Sequence, residues 1–594
     1  MNGRTPFGPA ASHTGGRMTA ADHTSRTSTD GLSRVPYLPG LDGLRAIAVV
    51  AVMIYHASHH WLPGGYLGVE VFFVISGYLI TMLLVGEYEV SGSIDLRGFW
   101  KRRFRRLLPA LYVMLGLLAV YLTAFYPVAR EQVRGDFLAG IGYISNWYQI
   151  FVGQGYAAAE SMVPLRHLWS LAVEEQFYVV WPVVVLVLLA RARRGTPAIG
   201  VRLIGVAVAL NVLMGALFVG GFVPLACTAE TSNGYWHVFG RCINVNDALY
   251  LSSITRAGGL MLGAGFAMLW RPNAIMRSRL RYRGRVLDVV ALLALVGLVV
   301  AFWKVYLFDQ GRYNPMLFRG GFFIVGLLTL LVIAAVTHRY AAAGDLLGNP
   351  LMKWIGTRSY GLYLYHWPIY EIIRKQAQIE LSVVEFVFAM VVTCVVTEVS
   401  YRFIEVPIRQ GHIRDLRARI LQRGGTIVAG VAVLGVVALA AVSLVNASPH
   451  CVGEVACSLA ANTTDTTSTT AAPAGSGSTT SSSTTTTTTI QLVPDKYVAI
   501  GDSVMVGARR QLTKGGFVVN AKENRGGEGV KNTVIKLRNM NSIGDGTTVV
   551  IQVGTNGPLN DEAFAAIVDA VPAAAGETGA GRRTSLHAAA PAPI

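Results

Sequence analysis

The stretch LDGLRAIAVVAVMIYHASHHW, Leu41–Trp61, decides how the chain is read. Ten uncharged residues, 46–55, lie between Arg45 and His56, and two more histidines follow at His59 and His60. A run of about 20 mainly apolar residues is long enough to cross a bilayer as a helix. Ionisable groups within such a span are costly and mark functional positions. Arg45 and His56 are eleven residues apart, about 16 Å along a helix and on nearly one face. That spacing places Arg45 at the cytoplasmic end and His56 deep in the span. A histidine is suited to taking a proton near neutral pH. The plainer alternative is a histidine hydrogen-bonded to a neighbouring helix, or one close enough to the interface to be wet.

The rest of the chain agrees with a membrane setting. Of 594 residues, 52% are hydrophobic and only 14% charged, and apolar stretches of spanning length recur. Spans are expected near 41–60, 67–86, 107–126, 171–190, 200–220, 250–270, 286–306, 317–337, 359–377, 383–403 and 427–447. The formal charge of +17 does not indicate nucleic acid, because the arginine clusters sit between spans. The segment 136–152 is short and holds Asp136, Asn146 and Gln149. With the N-terminus inside and this segment not crossing, the basic runs 101–106, 191–194, 271–285 and 409–423 all fall on the cytoplasmic side. The expectation is therefore eleven spans, with 136–152 re-entrant or interfacial. The fold class expected is an all-α polytopic membrane bundle with a tethered α/β domain.

Residues 1–35 are polar and read as a disordered cytoplasmic tail. The membrane domain occupies 36–410, and a basic cytoplasmic loop and final span occupy 411–448. Residues 449–490 form a Ser/Thr-rich extracytoplasmic linker, and 491–594 alternate strand and helix patterns. Cys227 and Cys242 fall in one outside loop and Cys451 and Cys457 beyond the last span, so two local disulfides are expected. Cys394 is expected to pack within a span.

Other polar residues join Arg45 and His56. Arg103 and Arg106, in FWKRRFRRLLPAL (99–111), share a helix face, and guanidinium groups bind phosphate bidentately. His167, Ser170 and Glu174 follow at spacings of three and four, and Glu175 completes an acidic pair at the head of a span. Arg256 lies within the 250–270 span and His366 in RSYGLYLYHWPIY (358–370). Together they imply a functional polar cavity. The histidines are scattered over different spans without ligand spacing, so no metal is expected.

The motifs YLPGLDGLRAIAVVAVMIYH, GGYLGVEVFFVISGYLIT, FWKRRFRRLLPALY, HLWSLAVEEQFYVVWP, SYGLYLYHWPI and YRFIEVPIR run in order over 37–409. They resemble the acyltransferase-3 family of integral-membrane O-acyltransferases. The resemblance implies a catalytic histidine at His56, paired with Arg45. It implies acyl-donor contacts at Arg103 and Arg106, and a functional block from His167 to Glu175. Acyl-CoA, with acetyl as the default acyl group, would be the cytoplasmic donor. An envelope glycan or glycolipid would be the acceptor. A transporter or flippase of acyl groups or glycolipid is the alternative reading, though no clear internal repeat supports it.

AIGDSVMVG (499–507) resembles the first block of SGNH hydrolases, with Ser503 as the nucleophile. Gly526 or Gly527, and Asn556 of GTNG, resemble the oxyanion-hole blocks. The family's Asp-x-x-His block is not matched: His587 is the only histidine after Ser503, with Thr584 three residues before it. The domain is therefore expected to be incomplete and inactive as written.

Overall fold

A computed structural model describes residues 37–126, 129–153, 163–192, 195–220, 234–238, 241–309, 312–374, 380–410 and 424–446 of the first compact unit. Of the second unit it describes 497–501, 505, 512, 517–521, 527–539 and 548–552. The 1–35 tail, the linker, and Ser503, Gly526, Asn556, Cys451 and Cys457 lie outside the described residues.

The first unit is a helical bundle. Helix α1 (Pro39–Ala57) starts at a proline, whose missing N–H costs nothing in a first turn. The carboxylate of Asp42, in that turn, accepts a hydrogen bond from the Tyr37 hydroxyl at 2.5 Å. The helix stops where Ser58 turns extended. Then come α2 (Gly68–Ser91) and α3 (Leu96–Phe125), the latter capped by the Asp95 carboxylate on the Gly98 N–H at 2.9 Å. Next are α4 (Ala129–Ile141), α5 (Ser145–Val152), α6 (Leu168–Ala190) and α7 (Gly195–Leu217). A hairpin of β1 (Tyr235–Val238) and β2 (Arg241–Asn244) leads into α8 (Val245–Leu251) and α9 (Ser253–Leu269). The remaining helices of eight residues or more are α10 (Gly284–Lys304), α11 (Phe322–Val336), α12 (Pro350–Thr357), α13 (Ser359–Arg374), α14 (Val383–Ser400) and α15 (Gly424–Val445).

Eight helices among the described residues are long and apolar enough to cross a membrane. The other three expected spans coincide with α9, α13 and α15, of 17, 16 and 22 residues. At 1.5 Å per residue, α9 and α13 reach about 25 Å, short of a hydrocarbon core of about 30 Å. The segment expected to be re-entrant is divided between α4 and α5, of 13 and 8 residues. The break carries Tyr143 at φ 51°, a left-handed conformation. Its polar side chains face protein: Asn146 Nδ2 donates to Ser253 Oγ at 2.9 Å, and Gln149 Nε2 to the Arg166 carbonyl at 3.0 Å. Cys242 is disulfide-bonded, its partner lying outside the described residues, and Cys394 is a half-buried free thiol.

Small residues let α2 and α9 meet backbone to backbone, the device by which helices associate where no water drives them together. A Cβ on Gly77 would lie 2.0 Å from the Leu260 carbonyl oxygen, and one on Gly263 would lie 2.0 Å from that of Val74. Neither backbone can retreat without parting the helices. Gly263→Val is expected to destabilise the bundle by about 3 kcal/mol, the upper end of overpacking costs. Thermal unfolding of the detergent-purified chain checks this, with a clearly lower midpoint as the expected result.

The second unit contains a parallel three-stranded sheet in the order Val518–Ala521, Tyr497–Gly501, Thr548–Gln552. Helix Gly527–Asn539 precedes the last of these strands. Val498, Ile500, Val530 and Val534 form its core. The strand and helix alternation expected from the sequence is present here.

Candidate functional site

Two prolines organise the site by what they lack. Pro368 sits inside α13 and has no N–H to offer the carbonyl four residues earlier, Leu364. That carbonyl takes a hydrogen bond from Nε2 of His167 instead, at 3.1 Å. Pro182 does the same inside α6, where the freed Tyr178 carbonyl accepts from Trp100 Nε1 at 3.2 Å. Because a carbonyl only accepts, Nε2 of His167 carries the proton. Nδ1 is then a buried acceptor with no hydrogen-bond partner among the described residues.

The same logic fixes a second pair. Nδ1 of His366 lies 3.1 Å from the Leu362 carbonyl and must donate to it. A neutral His366 then has its lone pair on Nε2, which lies 2.8 Å from Nδ1 of His56. Nδ1 of His56 therefore donates, and the lone pair of His56 is on Nε2. The two rings are within 6° of parallel, and the edge of Trp367 packs against His56 with ring centres 4.6 Å apart. His56 lies in the last turn of α1, not deep within it, and is buried by neighbouring helices. Its carbonyl, left without a helical donor, accepts from Arg374 at 3.1 Å. Arg374 is held in turn by the buried Glu371. Tyr370, Trp367 and Arg374 thus hold the helix end that presents His56.

A cavity lies beside this cluster. Its lining includes Arg45, Arg103, Arg106, Ser170, Glu174 and Tyr363. Three guanidinium groups and one carboxylate line it, a net of +2. None of the three arginines has an ion-pair partner within 4.0 Å among the described residues. The Glu174 carboxylate accepts from the hydroxyls of Ser76 and Tyr178. The Arg103 guanidinium stands 5.3 Å from the Tyr178 ring centre. Ser170 and Tyr178 are eight residues apart on α6, so the cavity reaches about 12 Å along that helix. Tyr363 forms the wall between cavity and histidines. Its hydroxyl lies 2.6 Å from Ser170 Oγ and donates to the His167 carbonyl at 3.1 Å. Its ring centre is 5.4 Å from that of His366.

The expected residues thus divide into four places. Arg45, Arg103, Arg106, Ser170 and Glu174 meet at the cavity, and His56, His167 and His366 meet behind Tyr363. Glu175 is buried on another face of α6, outside the cavity lining. Arg256 is away from the cavity lining. It pairs with Glu70 at 2.9 Å and lies over the ring of Phe322 at 4.1 Å, joining α9 to α2 and α11. Tyr363, Glu371, Arg374 and Glu70 were not singled out from the sequence. Their signal was present as polar residues inside apolar helices, but their partners are on other helices.

The fold and site define a multi-pass membrane protein with a buried histidine cluster beside a cationic cavity. The model of the acyltransferase-3 family, described as an acyltransferase domain, matches residues 38–402, and the chain belongs to that family. It is 35% identical over 376 residues to the peptidoglycan O-acetyltransferase OatA of Listeria monocytogenes, covering 63% of this chain and 56% of that protein. It is 37% identical over 375 residues to the O-acetyltransferase OatA of Staphylococcus aureus, covering 63% and 57%. A third relative, the putative peptidoglycan O-acetyltransferase YrhL of Bacillus subtilis, is 36% identical over 389 residues, covering 65% and 57%. The chain therefore spans a little over half the length of the curated relatives it matches. No solved structure matches.

Proposed function

We propose that the chain is a membrane O-acyltransferase that moves an acetyl group from cytoplasmic acetyl-CoA to a hydroxyl of cell-wall peptidoglycan. The observation that carries this reading is the cavity with three guanidiniums against one carboxylate, ending at the wall that covers the histidine cluster. A net positive, partly apolar cleft concentrates a polyanion such as the phosphates of acyl-CoA. Arg103 and Arg106 would hold those phosphates, with the thioester directed toward Tyr363 and the histidines.

His56 Nε2 would act as the base. It takes the proton of the acceptor hydroxyl, whose oxygen attacks the thioester carbonyl. The carbon–sulfur bond breaks, and the CoA thiolate leaves with the proton that His56 took, which restores the base. His366 fixes the tautomer that leaves the lone pair on Nε2. The names of the relatives support peptidoglycan as the acceptor. The basic runs support a cytoplasmic N-terminus, with the second unit outside. Ser503, Gly526 and Asn556 of that unit remain candidates by resemblance alone.

The test uses the full chain in proteoliposomes with radiolabelled acetyl-CoA and peptidoglycan fragments. Alkali-labile label on the glycan is the expected result. Label that crosses the bilayer with no ester formed would instead favour the transporter reading and overturn this one.

A further inference from the structure

The two histidines that close the opening stretch meet a carboxylate from far along the chain. Nδ1 of His59 lies 2.9 Å and Nε2 of His60 3.7 Å from the same oxygen, Oε1 of Glu380. The other oxygen, Oε2, accepts a hydrogen bond from Ser58 Oγ at 2.8 Å. We propose that His59, His60 and Glu380 form a binding site for a divalent transition-metal ion, of which zinc is the best-matched, at the end of the bundle that presents His56.

Four features support this site. The three ligand atoms lie within 4.8 Å of one another. A tetrahedral zinc with bonds of about 2.1 Å needs them about 3.4 Å apart, a change that small rotations of exposed rings supply. The donor set, two imidazoles and one carboxylate, is the one zinc takes when it keeps a fourth position open to solvent. Both rings are solvent-exposed, with 59% and 79% of their side-chain surface accessible, so an ion can reach them. Finally, the carboxylate is positioned from behind. Ser58 is buried and orients Glu380, as outer-shell hydrogen bonds orient metal ligands. The Leu381 N–H donates to the Ala57 carbonyl at 3.0 Å, and Trp61 packs edge-on to Phe386 with ring centres 5.4 Å apart. These contacts hold the two chain segments in register without any ion.

The spacing rules missed this site because its carboxylate lies 320 residues beyond His60. The expectation of no metal rested on histidines spread over separate spans. His59 and His60 are adjacent and outside α1, and the fold supplies the third donor. An ion there would clamp the segment just beyond α1, where His59 lies three residues from His56, to the segment leading into α14. The competing arrangement is a pair of electrostatic His–Glu contacts with no ion.

The test is calorimetric titration of zinc chloride into the full chain, purified in detergent, stripped with chelator and free of any histidine tag. Metal content after gel filtration is measured alongside. The expected result is one zinc per chain, lost in His59→Ala with His60→Ala and in Glu380→Gln. Ser58→Ala is expected to weaken binding about tenfold, as outer-shell changes do. The substituted ligand residues are exposed or half-exposed, so the variants are expected to elute like the parent. No zinc bound by the parent chain, or zinc uptake unchanged in the ligand variants, overturns the proposal.

Discussion

Replacing His56 by alanine is expected to lower acetyl transfer by about 10³-fold, the scale of a lost general base. The expectation rests on a chain of hydrogen-bond roles. Leu362 fixes the proton on His366 Nδ1, His366 fixes the proton on His56 Nδ1, and the basic lone pair is left on His56 Nε2. The variant leaves Nε2 of His366 without its donor, at a cost of about 1–3 kcal/mol. The bundle is expected to survive that loss, since α1 is buried along its length by residues such as Leu44, Val49 and Val52. Acetyl-CoA affinity is expected to stay within about twofold of the parent, because His56 does not line the cavity. Rates measured beside gel-filtration profiles separate lost chemistry from lost folding.

The second large effect is expected at the other end of the cavity. Arg103→Ala combined with Arg106→Ala removes two of its three guanidiniums. A hydrogen bond to a charged group contributes about 1.5–3 kcal/mol. Loss of even one strong phosphate contact therefore raises the KM for acetyl-CoA by about 10- to 100-fold. Turnover at saturating donor is expected to change little, because in the proposed mechanism these groups would bind what the reaction does not alter. An equal fall in kcat with KM unchanged would place the two arginines in a structural role.

These two expectations use residues that were readable in the sequence, and the reason is local. Periodicity shows which residues share a face of one helix: Arg103 with Arg106, and Ser170 with Glu174, line one cavity, whereas His167, grouped with the second pair, turns instead to the Leu364 carbonyl. It cannot show which helices meet. The pairing of His56 with His366 spans 310 residues, and Glu380 reaches Ser58 across 322. Arg256 looked like a cavity residue because a lone cation in an apolar span demands explanation. Its explanation is Glu70, on a helix whose strong hydropathy hid the carboxylate. Helix α13 is short and polar because His366, Glu371 and Arg374 find partners inside the protein. A hydropathy scan tests for lipid contact, which most of that helix does not make. Pro368 marked a break in the ladder, but only the fold shows His167 filling it.

In the proposed mechanism, donor binding and chemistry are divided between the arginine end of one cavity and His56 beyond its wall. The most direct measurement is the initial rate of acetyl transfer against acetyl-CoA concentration, for the parent chain and His56→Ala in the same proteoliposomes. The expected result is a collapse of kcat in the variant with the half-saturating acetyl-CoA concentration nearly unchanged. Transfer by His56→Ala at the parent rate would contradict it.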